Sequence, residues 1–578
     1  MIKSLLSNLI ASAVEEIGLP AEKIELFHPE LSFGDFSTNI ALVLAKKNNE
    51  EALKLAEKIK TKILSLKNEN LKDVQVAGPG FLNFTLSEDF FAESLKEILM
   101  AGENFGRNNL LEGKKVLIEY TDPNPFKLFH IGHLMSNTIG ETLSRIIEAS
   151  GAEVKRACYQ GDVGMHVAKT LWGMVRKENE LPEKDANLLE KVAYLGQCYT
   201  LGAYDFENNQ EAKEGIIILN KKIYKKSDDH INKLYELGRQ WSLDYFETIY
   251  KLLGTDHNQK EGKAFDYYFF ESETWAIGQK LVEDGLAKGV FEKSEGAVVF
   301  RGDLHDVSLH TRVFINNEGL PTYEAKDLGL TKLKFEKYPF DLSISVTGEE
   351  QREYFKVMLK AMEQIMPDLA AKTKHIAHGM LRLPTGKMSS RTGDVITAKN
   401  LIGEVSEKVL EKIGEREIPA EEKKQIAEAV AVGALKYSIL KQSPGQDIIF
   451  DFAKSLSFEG DSGPYLQYTY ARICSVLSKA GEQGKEIGDE VASEESTSVL
   501  ARLLYQLPEV IEKSYLNLSP QTIVSYLINI AGAFNGFYAQ NKIIGSEEES
   551  SRLALTKATS IVLKNGLNIL AIPVLEKM

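Results

Sequence analysis

The pattern of strand, helix and strand that begins at Gly113 constrains the fold of this chain more than any other feature. Val116, Leu117 and Ile118 form a continuous apolar run typical of a buried strand, and apolar residues at helical spacing follow it. A second β-rich run covers residues 154–159. Because two strands joined by a helix pair in parallel, the pattern predicts a βαβ unit and an α/β fold.

Periodicity divides the rest of the chain around this unit. We predict a small α+β module (residues 1–110), the first half of a parallel-sheet domain (111–171), a mostly helical insertion (172–300), the second half of the sheet domain (301–400) and a helical tail (401–578). The parallel sheet is expected to resume with strands at residues 313–315 and 342–346. Helices of the tail are predicted at residues 407–413, 421–440, 465–480, 496–513 and 519–538.

The charge balance excludes one class of nucleic-acid binder. The chain has 83 Asp plus Glu against 69 Lys plus Arg, which gives a formal net charge of −14 over 578 residues. A wholly basic, indiscriminate nucleic-acid binder is therefore excluded, but a local basic groove is not. Residues 374–391 stand out from this acidic background, because they contain two lysines, two arginines and no acidic residue.

Cysteine usage and hydropathy predict a cytoplasmic protein. The three cysteines lie far apart and without metal-ligand spacing, which disfavours a disulfide framework and a zinc site. No apolar run approaches the ~18 residues that a membrane span needs. The apolar residues of the stretch 2–14 recur at helical spacing and polar residues interrupt them, which predicts an amphipathic helix rather than a signal peptide.

The most informative motif for function is the stretch 119–133, which follows the first strand and leads into a helix. Gly132 allows a ligand to approach the backbone, and His130 and His133 lie at the positive end of the helix dipole. This combination suits a polyphosphate at the carboxyl end of a parallel sheet. The alternative is that two histidines at this spacing only cap the helix or bind a metal ion.

A second motif, Gly-Lys-Met-Ser-Ser-Arg-Thr-Gly, covers residues 386–393. A basic loop flanked by glycines can close on phosphates and neutralise the charge of a leaving pyrophosphate. The alternative for this stretch taken alone is an exposed surface loop with a solvated lysine.

The two motifs together resemble those of class I aminoacyl-tRNA synthetases. Further stretches narrow the resemblance to arginyl-tRNA synthetases; these stretches are residues 33–39, 434–438, 463–468 and 572–578. The resemblance spans essentially the whole chain. The resemblance implies a Rossmann-type parallel-sheet catalytic domain with a helical insertion, an N-terminal α+β module that contacts the tRNA elbow, and a C-terminal all-α anticodon-binding bundle.

The same resemblance implies a reaction and its partners. The expected activity is the ATP-dependent attachment of arginine to its cognate tRNA through arginyl-adenylate, with release of AMP and pyrophosphate. ATP is expected as a substrate with Mg²⁺, without a metal held tightly by the protein. The resemblance further implies a monomer, and the lack of a long apolar run predicts that the protein does not associate with membranes.

The resemblance also implies an arginine pocket, whose residues are Glu119, Asn124, Tyr323, Asp327 and Gln351. Paired carboxylates match a planar guanidinium best, so Asp327 and Glu119 are expected to bind it while Asn124 holds the α-amino or carboxylate end. The alternative for the two acids is a structural salt bridge or a charge on a helix face.

The residues implied for ATP binding come from both motifs and from one strand end, and they are His130, Gly132, His133, Gly348, Lys387 and Ser389. The sequence departs from the family pattern at Ser390, where many members have a second loop lysine. Some arginyl enzymes compensate with a lysine just before the histidine motif, which is Lys127 here. We therefore expect Lys127 to act in catalysis with His130, His133 and Lys387; the alternative is a solvated lysine.

For tRNA, the resemblance points to Asn39 in the N-terminal module and to aromatic and basic residues of the tail, of which Tyr437, Tyr470 and Arg472 are the candidates. Exposed aromatic rings with nearby positive charge suit the unpaired bases of an anticodon loop. The alternative for the tyrosines is an aromatic stripe in the core.

Two other classes of protein remain as alternatives. One is a small-molecule nucleotidyltransferase or ligase with the same histidine motif, but such a chain lacks the front module and the tail. The other is a non-catalytic tRNA-binding paralogue, which the intact His130, His133 and Lys387 disfavour. Pyrophosphate exchange with each amino acid, with and without tRNA, distinguishes the three.

Overall fold

The structure, a computed structural model, describes most of the chain. The described residues are 2–20, 22–255, 262–382, 397–414, 419–443, 445–485, 488 and 498–578. Within these ranges no helix is both long and apolar enough to cross a lipid bilayer.

The N-terminal module consists of a small antiparallel sheet packed against helices. Its elements are α1 (Ile2–Glu16), β1 (Phe36–Thr38), α2 (Ile40–Asn48), α3 (Ala52–Ser65), β2 (Leu71–Ala77), β3 (Phe81–Leu86) and α4 (Glu88–Ala101), and the strand order is β1-β3-β2. The predicted N-terminal helix is confirmed, because α1 buries Leu6, Ile10, Ala13 and Val14 in the core of this module.

The parallel-sheet domain is interrupted by a long insertion. Its first half comprises β4 (Lys115–Glu119), α5 (Ile131–Ala149), β5 (Glu153–Gln160) and α6 (Met165–Arg176). The following elements are α7 (Leu188–Asn208), α8 (Gln210–Lys225), α9 (Asp229–Leu252), β6 (Tyr267–Phe270), α10 (Glu271–Ala287), β7 (Glu292–Ser294), β8 (Ala297–Arg301) and β9 (Thr311–Ile315). The second half comprises α11 (Tyr323–Lys337), β10 (Leu342–Gly348), α12 (Arg352–Ile365), α13 (Pro367–Ala371), β11 (Thr373–His378) and β12 (Leu381–Arg382).

Five parallel strands form the central sheet, in the order β11-β10-β4-β5-β6. Ile118 of β4 lies between Ile344 of β10 and Arg156 of β5. The strands predicted at residues 116–118, 154–159 and 342–346 are confirmed as β4, β5 and β10. Because all five strands run in the same direction, the loops that follow them meet at one edge of the sheet.

Two predictions about the sheet need correction. The stretch 313–315 does form a strand, but β9 pairs antiparallel with β8, with Val313 opposite Val299, in a separate sheet of order β7-β8-β9. The edge strand next to β5 in the parallel sheet is instead β6. This strand lies inside the insertion that is predicted to be mostly helical. With only four residues, Tyr267–Phe270, it is too short to produce a clear alternation of apolar and polar positions.

The tail is almost wholly helical, as predicted. Its elements are α14 (Ala398–Ile413), α15 (Ala420–Leu440), β13 (Ile448–Ile449), α16 (Phe452–Ser455), α17 (Gly463–Glu482), α18 (Val499–Leu504), α19 (Leu507–Leu516), α20 (Gln521–Gln540) and α21 (Glu549–Ile569). The single helix predicted at residues 496–513 is divided into α18 and α19, and Pro508 lies in the first turn of α19, where the missing N–H costs nothing. The sequence reasoning missed α21.

Helix α5 lies at the centre of the molecule. Sixteen of its nineteen residues are buried, and one apolar core runs from the sheet past α5 into the tail helices. The close approach of Tyr120 to α5 needs Gly140, because a Cβ there would lie 2.2 Å from the Tyr120 Cγ. On the same helix, Glu141 accepts hydrogen bonds from Tyr120, Arg145 and Arg156.

Gly140→Ala is expected to lower the Tm, because relieving this overlap costs ~1–3 kcal/mol of overpacking strain. Gly403→Ala on α14 is the matched control, since nothing lies within 4 Å of the added carbon and alanine favours a helix. Thermal unfolding followed by circular dichroism compares the two variants. A Gly140→Ala protein as stable as the wild type contradicts this packing.

Candidate active site

A cavity of about 290 Å³ opens at the carboxyl edge of the parallel sheet. All five strands contribute to it through their last residues or the loops that follow. The lining residues include Glu119, Thr121, Asp122, Asn124, His130, Gly132, His133, Ser136, Tyr159, Gly161, Glu271, Tyr323, Asp327, Gly348, Glu350, Gln351, Tyr354 and His378. Residues far apart in sequence therefore share one site.

The turn after β4 has a strained backbone. Thr121, Asp122 and Phe126 have φ of 79°, 46° and 67°, a region that side chains other than glycine rarely adopt. Each such residue costs on the order of 1–3 kcal/mol and persists because its surroundings hold it. Ser136 Oγ accepts from the Thr121 N–H at 2.9 Å, and Asp122 Oδ1 accepts from the Tyr159 N–H at 2.7 Å.

This strained turn presents Asn124 to the pocket next to Gly161. A Cβ at Gly161 would lie 2.2 Å from Asn124 Oδ1 and 3.1 Å from Glu271 Oε1. A glycine at this position therefore leaves room for the Asn124 amide and the Glu271 carboxylate.

Two stacked imidazoles begin α5, with ring centroids 3.7 Å apart. The Nδ1 of His130 accepts from the Gly132 N–H at 3.1 Å, and the Nδ1 of His133 accepts from the His130 N–H at 3.2 Å. Burial, and then the charge of Lys127, lower the pKa of His130, while burial lowers the pKa of His133 well below its usual value. Both rings are therefore neutral at pH 7 with the proton on Nε2, which is left as a donor.

The inner wall of the pocket carries four carboxylates. Glu119 forms an ion pair with Lys334, and Glu271 forms one with Lys326 at 2.6 Å; all four of these side chains are buried. The half-buried Asp327 instead accepts a hydrogen bond from the Tyr354 hydroxyl. Asp122 is also half-buried. Among the described residues, its side chain accepts a hydrogen bond only from the backbone N–H of Tyr159.

The environment favours the protonated form of three of these acids. Burial, together with Glu119, raises the pKa of Asp122 well above its usual value. Burial raises the pKa of Asp327 to about 7, although the Tyr354 hydroxyl opposes the shift. Burial also raises the pKa of Glu271, against the attraction of Lys326. An empty pocket therefore retains protons that a bound cation would displace.

The pocket suits a ligand with two positive groups. The four inner carboxylates (Glu119, Asp122, Glu271 and Asp327) have two lysine partners, so this set has an excess of two negative charges when fully ionised, and the exposed Glu350 of the lining adds a further carboxylate. A buried charge is costly unless it is paired. Lysine or arginine as a free amino acid supplies two cationic groups, and a guanidinium matches two carboxylates by its planar set of donors.

Three family models match the chain along its length. Residues 94–452 match the family described as tRNA synthetases class I (R), catalytic domain. Residues 2–86 match the arginyl tRNA synthetase N terminal domain, and residues 466–578 match the DALR anticodon binding domain. The chain belongs to the arginyl-tRNA synthetase family.

Curated relatives agree with this family. The chain is 32% identical to the arginine–tRNA ligase of Treponema denticola over 567 residues, covering 95% of this chain and 94% of the relative. It is also 32% identical to the arginine–tRNA ligase of Clostridium acetobutylicum over 567 residues, covering 96% of each chain. The solved arginyl-tRNA synthetase of Thermus thermophilus has the same fold, with a TM-score of 0.78 at 24% identity and full coverage of both chains.

The activity follows from the family. As an arginine–tRNA ligase, the protein uses ATP to attach arginine to tRNA, through an aminoacyl-adenylate as class I synthetases do. The reaction releases AMP and pyrophosphate.

For this synthetase, the structure brings most of the sequence-predicted site residues into one pocket. The predicted residues among its lining are Glu119, Asn124, His130, Gly132, His133, Tyr323, Asp327, Gly348 and Gln351. Tyr323 and Gln351 lie at the exposed mouth. Lys127 is exposed beside the pocket, and Lys387 and Ser389 fall outside the described residues.

Sequence reasoning missed several pocket residues. Glu271 follows β6, which lies in the segment predicted to be a mostly helical insertion. Tyr159 lies in β5 and Tyr354 in α12, and neither belongs to a recognisable motif. Of these residues, only Asp122 could have been found from the sequence, because it lies inside the first motif, between a strand and a helix.

The synthetase tail contains a cleft of about 700 Å³, whose lining includes Lys412, Phe458, Tyr465, Tyr468, Arg472, Asn535 and Met578. Hereafter we call it the tail cleft. The Arg472 guanidinium stacks 4.8 Å from the Tyr468 ring centroid and donates to Asn535.

Two of the predicted tRNA-binding tyrosines lie elsewhere. Tyr437 is 2% exposed and donates to Asp461, and Tyr470 is 6% exposed within the core. Their burial argues against stacking on bases and favours the aromatic core stripe, because neither ring offers a free face in this conformation. The half-buried Tyr465 and Tyr468 are the tyrosines that face the tail cleft.

Asn39 of the N-terminal module is half-buried at the start of α2. Near it in sequence, the rings of Phe27 and Phe33 are exposed. The module is joined to the tail by ion pairs from Asp35 to Arg502 and from Lys3 to Glu509.

Proposed function

We propose that the synthetase selects arginine by the charge balance of this pocket. In this proposal Asp327 and Glu119 bind the guanidinium, and Asn124 holds the α-amino or carboxylate end. Tyr323 and Gln351 close the mouth. The excess of carboxylates over lysines carries the proposal, since it leaves negative charge for the guanidinium and α-ammonium groups of arginine.

Among the four acids, Asp327 is the one whose substitution tests this proposal best. It forms no ion pair with a described residue, and its partner is the neutral Tyr354 hydroxyl. Glu119 already shares its charge with Lys334, so its second oxygen is the part available to the substrate. Lysine has a point charge with a shorter reach and leaves part of this acceptor set unpaired, which gives discrimination without a separate editing step.

Catalysis in this proposal is positioning and charge stabilisation, because the arginine carboxylate itself attacks the ATP α-phosphate. His130 and His133 donate from Nε2 to the phosphates and ribose, and Gly132 and Gly348 leave room for the nucleotide. Lys387 and Ser389, which lie outside the described residues, are proposed to bind the phosphates as well. We further propose that Mg²⁺ enters with the ATP phosphates and that the 2′-hydroxyl of the terminal adenosine accepts the arginyl group.

Arginine binding is expected to depend on pH. Arginine binds the ionised form of Asp327, whose pKa is about 7 in the empty pocket, so the KM for arginine is expected to rise as the pH falls below about 7. Above that pH the carboxylate is already charged and the KM is flat. Steady-state kinetics across this range measures the effect.

Asp327→Asn is expected to raise the KM for arginine about a hundredfold, the cost of leaving a buried cation unpaired, and to flatten its pH dependence. The matched control is Glu336→Gln, an exposed acid on the same helix that pairs with Lys332. An Asp327→Asn enzyme with an unchanged KM for arginine excludes this role for Asp327.

A second proposal is that Lys127 supplies the positive charge that Ser390 does not provide in the second motif. Lys127 lies three residues before His130, and its charge contributes to lowering the pKa of that ring after burial. We infer from this effect that the Lys127 ammonium also acts on the phosphates of the nucleotide that the histidines bind.

Lys127→Ala is expected to slow arginine-dependent pyrophosphate exchange about a hundredfold, as loss of a charge-stabilising donor does, whereas Lys127→Arg retains most of the rate. Lys169→Ala removes a neighbouring cation on α6 and is the control for a general electrostatic effect. A Lys127→Ala enzyme with the normal exchange rate refutes the assignment.

For tRNA, we propose that Asn39 contacts the elbow and that the tail cleft receives anticodon bases. Tyr465, Tyr468 and Arg472 combine aromatic faces with a cation, which is the composition that unpaired bases require. We also propose a monomer in the cytoplasm that does not bind membranes, on the basis of the three free cysteines and the family.

A further inference from the structure

The loop that follows β5 is held in place beside the arginine pocket. Its first residue, Gly161, borders two pocket side chains, because a Cβ there would lie 2.2 Å from Asn124 Oδ1 and 3.1 Å from Glu271 Oε1. A small shift of the Gly161 backbone therefore changes the space that these two acceptors share. The side chains that hold this backbone, His166 and Asp162, are not among the lining residues of the pocket.

His166 holds the loop from the first turn of α6. Its Nε2 lies 2.9 Å from the carbonyl oxygen of Gly161. Burial, and then the charge of Lys127, lower the pKa of His166 to about 3, so the ring is neutral at pH 7 and carries one N–H. Because a carbonyl can only accept, that proton is on Nε2, and the imidazole donates it to Gly161. His166 is therefore a fixed hydrogen-bond donor near pH 7.

Asp162 attaches the same loop to α9 and to the start of α10. Its side chain is fully buried, and Oδ2 accepts from the Tyr235 hydroxyl at 2.8 Å and from Arg239 Nε at 3.1 Å. Oδ1 accepts from the Ser272 N–H at 2.9 Å, and Oδ2 also accepts from the Ser272 hydroxyl at 2.8 Å. Since Ser272 directly follows Glu271, this carboxylate joins the loop to the backbone that carries a pocket acid.

We propose that His166 and Asp162 are positioning residues that set the orientation of the α-ammonium and α-carboxylate groups of bound arginine. His166 acts through the Gly161 carbonyl, and Asp162 acts through the backbone of Ser272. We call Gly161, Asp162 and His166 the loop clamp. The inference rests on the proposed function, in which Asn124 holds the α end of arginine.

The loop clamp acts on one end of the substrate. Its neighbours in the pocket are Asn124 and Glu271, whereas Asp327, a proposed ligand of the guanidinium, is held by the Tyr354 hydroxyl. Loss of the clamp therefore affects the α end and leaves guanidinium binding intact. Because the α-carboxylate is the group that attacks ATP, its orientation also determines how often bound arginine is placed to react.

The two ends of arginine are separated by n-butylguanidine as a probe. This compound has the guanidinium and the alkyl chain of arginine but neither the α-ammonium nor the α-carboxylate. The Kd of butylguanidine divided by the Kd of arginine measures the contribution of the α end. If His166 and Asp162 only stabilise the fold, their loss weakens both ligands by the same factor. If they position the α end, their loss lowers the ratio.

Two variants loosen the loop clamp, and a third tests for rescue. His166→Leu removes the donor to the Gly161 carbonyl, whereas His166→Gln retains an N–H donor at a similar reach. Asp162→Asn places an amide N–H among the donors that bind the carboxylate, so at least one of those hydrogen bonds is lost.

The matched control is Asp266→Asn. Asp266 directly precedes β6, at the edge of the sheet opposite the pocket. Like Asp162, it accepts from a backbone N–H and from a cationic side chain, in this case the Arg156 N–H at 2.8 Å and Lys155 Nζ at 3.1 Å.

Displacement calorimetry on the whole chain, without ATP, gives both dissociation constants. For the wild type, Asp266→Asn and His166→Gln we expect a ratio of at least about one hundred, because hydrogen bonds to each of the two charged groups contribute about tenfold or more. In His166→Leu and Asp162→Asn the ratio is expected to fall about tenfold, with the Kd of butylguanidine unchanged. If one of these two variants does not fold, the other decides the question.

An unchanged ratio in both variants, an equal weakening of both ligands, or a His166→Gln protein as impaired as His166→Leu overturns the role of the loop clamp. A wild type that binds arginine no more tightly than butylguanidine contradicts the proposed site of the α end, and the clamp with it. A wild type that binds neither ligand contradicts the charge balance of the proposed pocket, which separates these failures.

Discussion

Four carboxylates, two of them buried and two half-buried, surround one small cavity and have only two lysine partners, and this charge imbalance governs the chemistry of the site. The ion pairs of Glu119 with Lys334 and of Glu271 with Lys326 remove part of the cost, and the raised pKa values of Asp122, Asp327 and Glu271 remove more of it. The negative charge that remains unpaired favours the binding of a cationic ligand. The strained turn after β4 carries Asp122 into the pocket, and Gly161 leaves room for Glu271 beside Asn124.

Helix α5 joins the chemistry to the remainder of the molecule. Its first turn orients two neutral imidazoles, its centre packs against Tyr120 through Gly140, and its later turns hydrogen-bond to the end of the chain. The buried Glu141 joins α5 to β5 through Arg156. Arg156 and Arg145 together outweigh burial and lower the pKa of Glu141 to about 2.

Local patterns in the sequence were sufficient for the elements that are long or strongly periodic. The strands β4, β5 and β10, the helix α5 and the histidine motif follow from apolar runs and helix-start signals. The short strand β6 could not be predicted, because four residues are too few to show an alternation of apolar and polar positions. Glu271, which follows β6, was therefore not recognised as a pocket residue. The ion pairs of Lys326 and Lys334, and the burial of Tyr437 and Tyr470, depend on contacts between distant segments that no local pattern encodes.

Calorimetric titration with arginine, without ATP and in buffers of different ionisation enthalpy, tests the charge balance of the pocket most directly. Near pH 7, where Asp327 is about half protonated, arginine is expected to release about half a proton or more, and its neutral analogue citrulline none. The release is expected to disappear as the pH rises well above 7. Binding of arginine near pH 7 without release of protons would contradict selection by an excess of buried carboxylates.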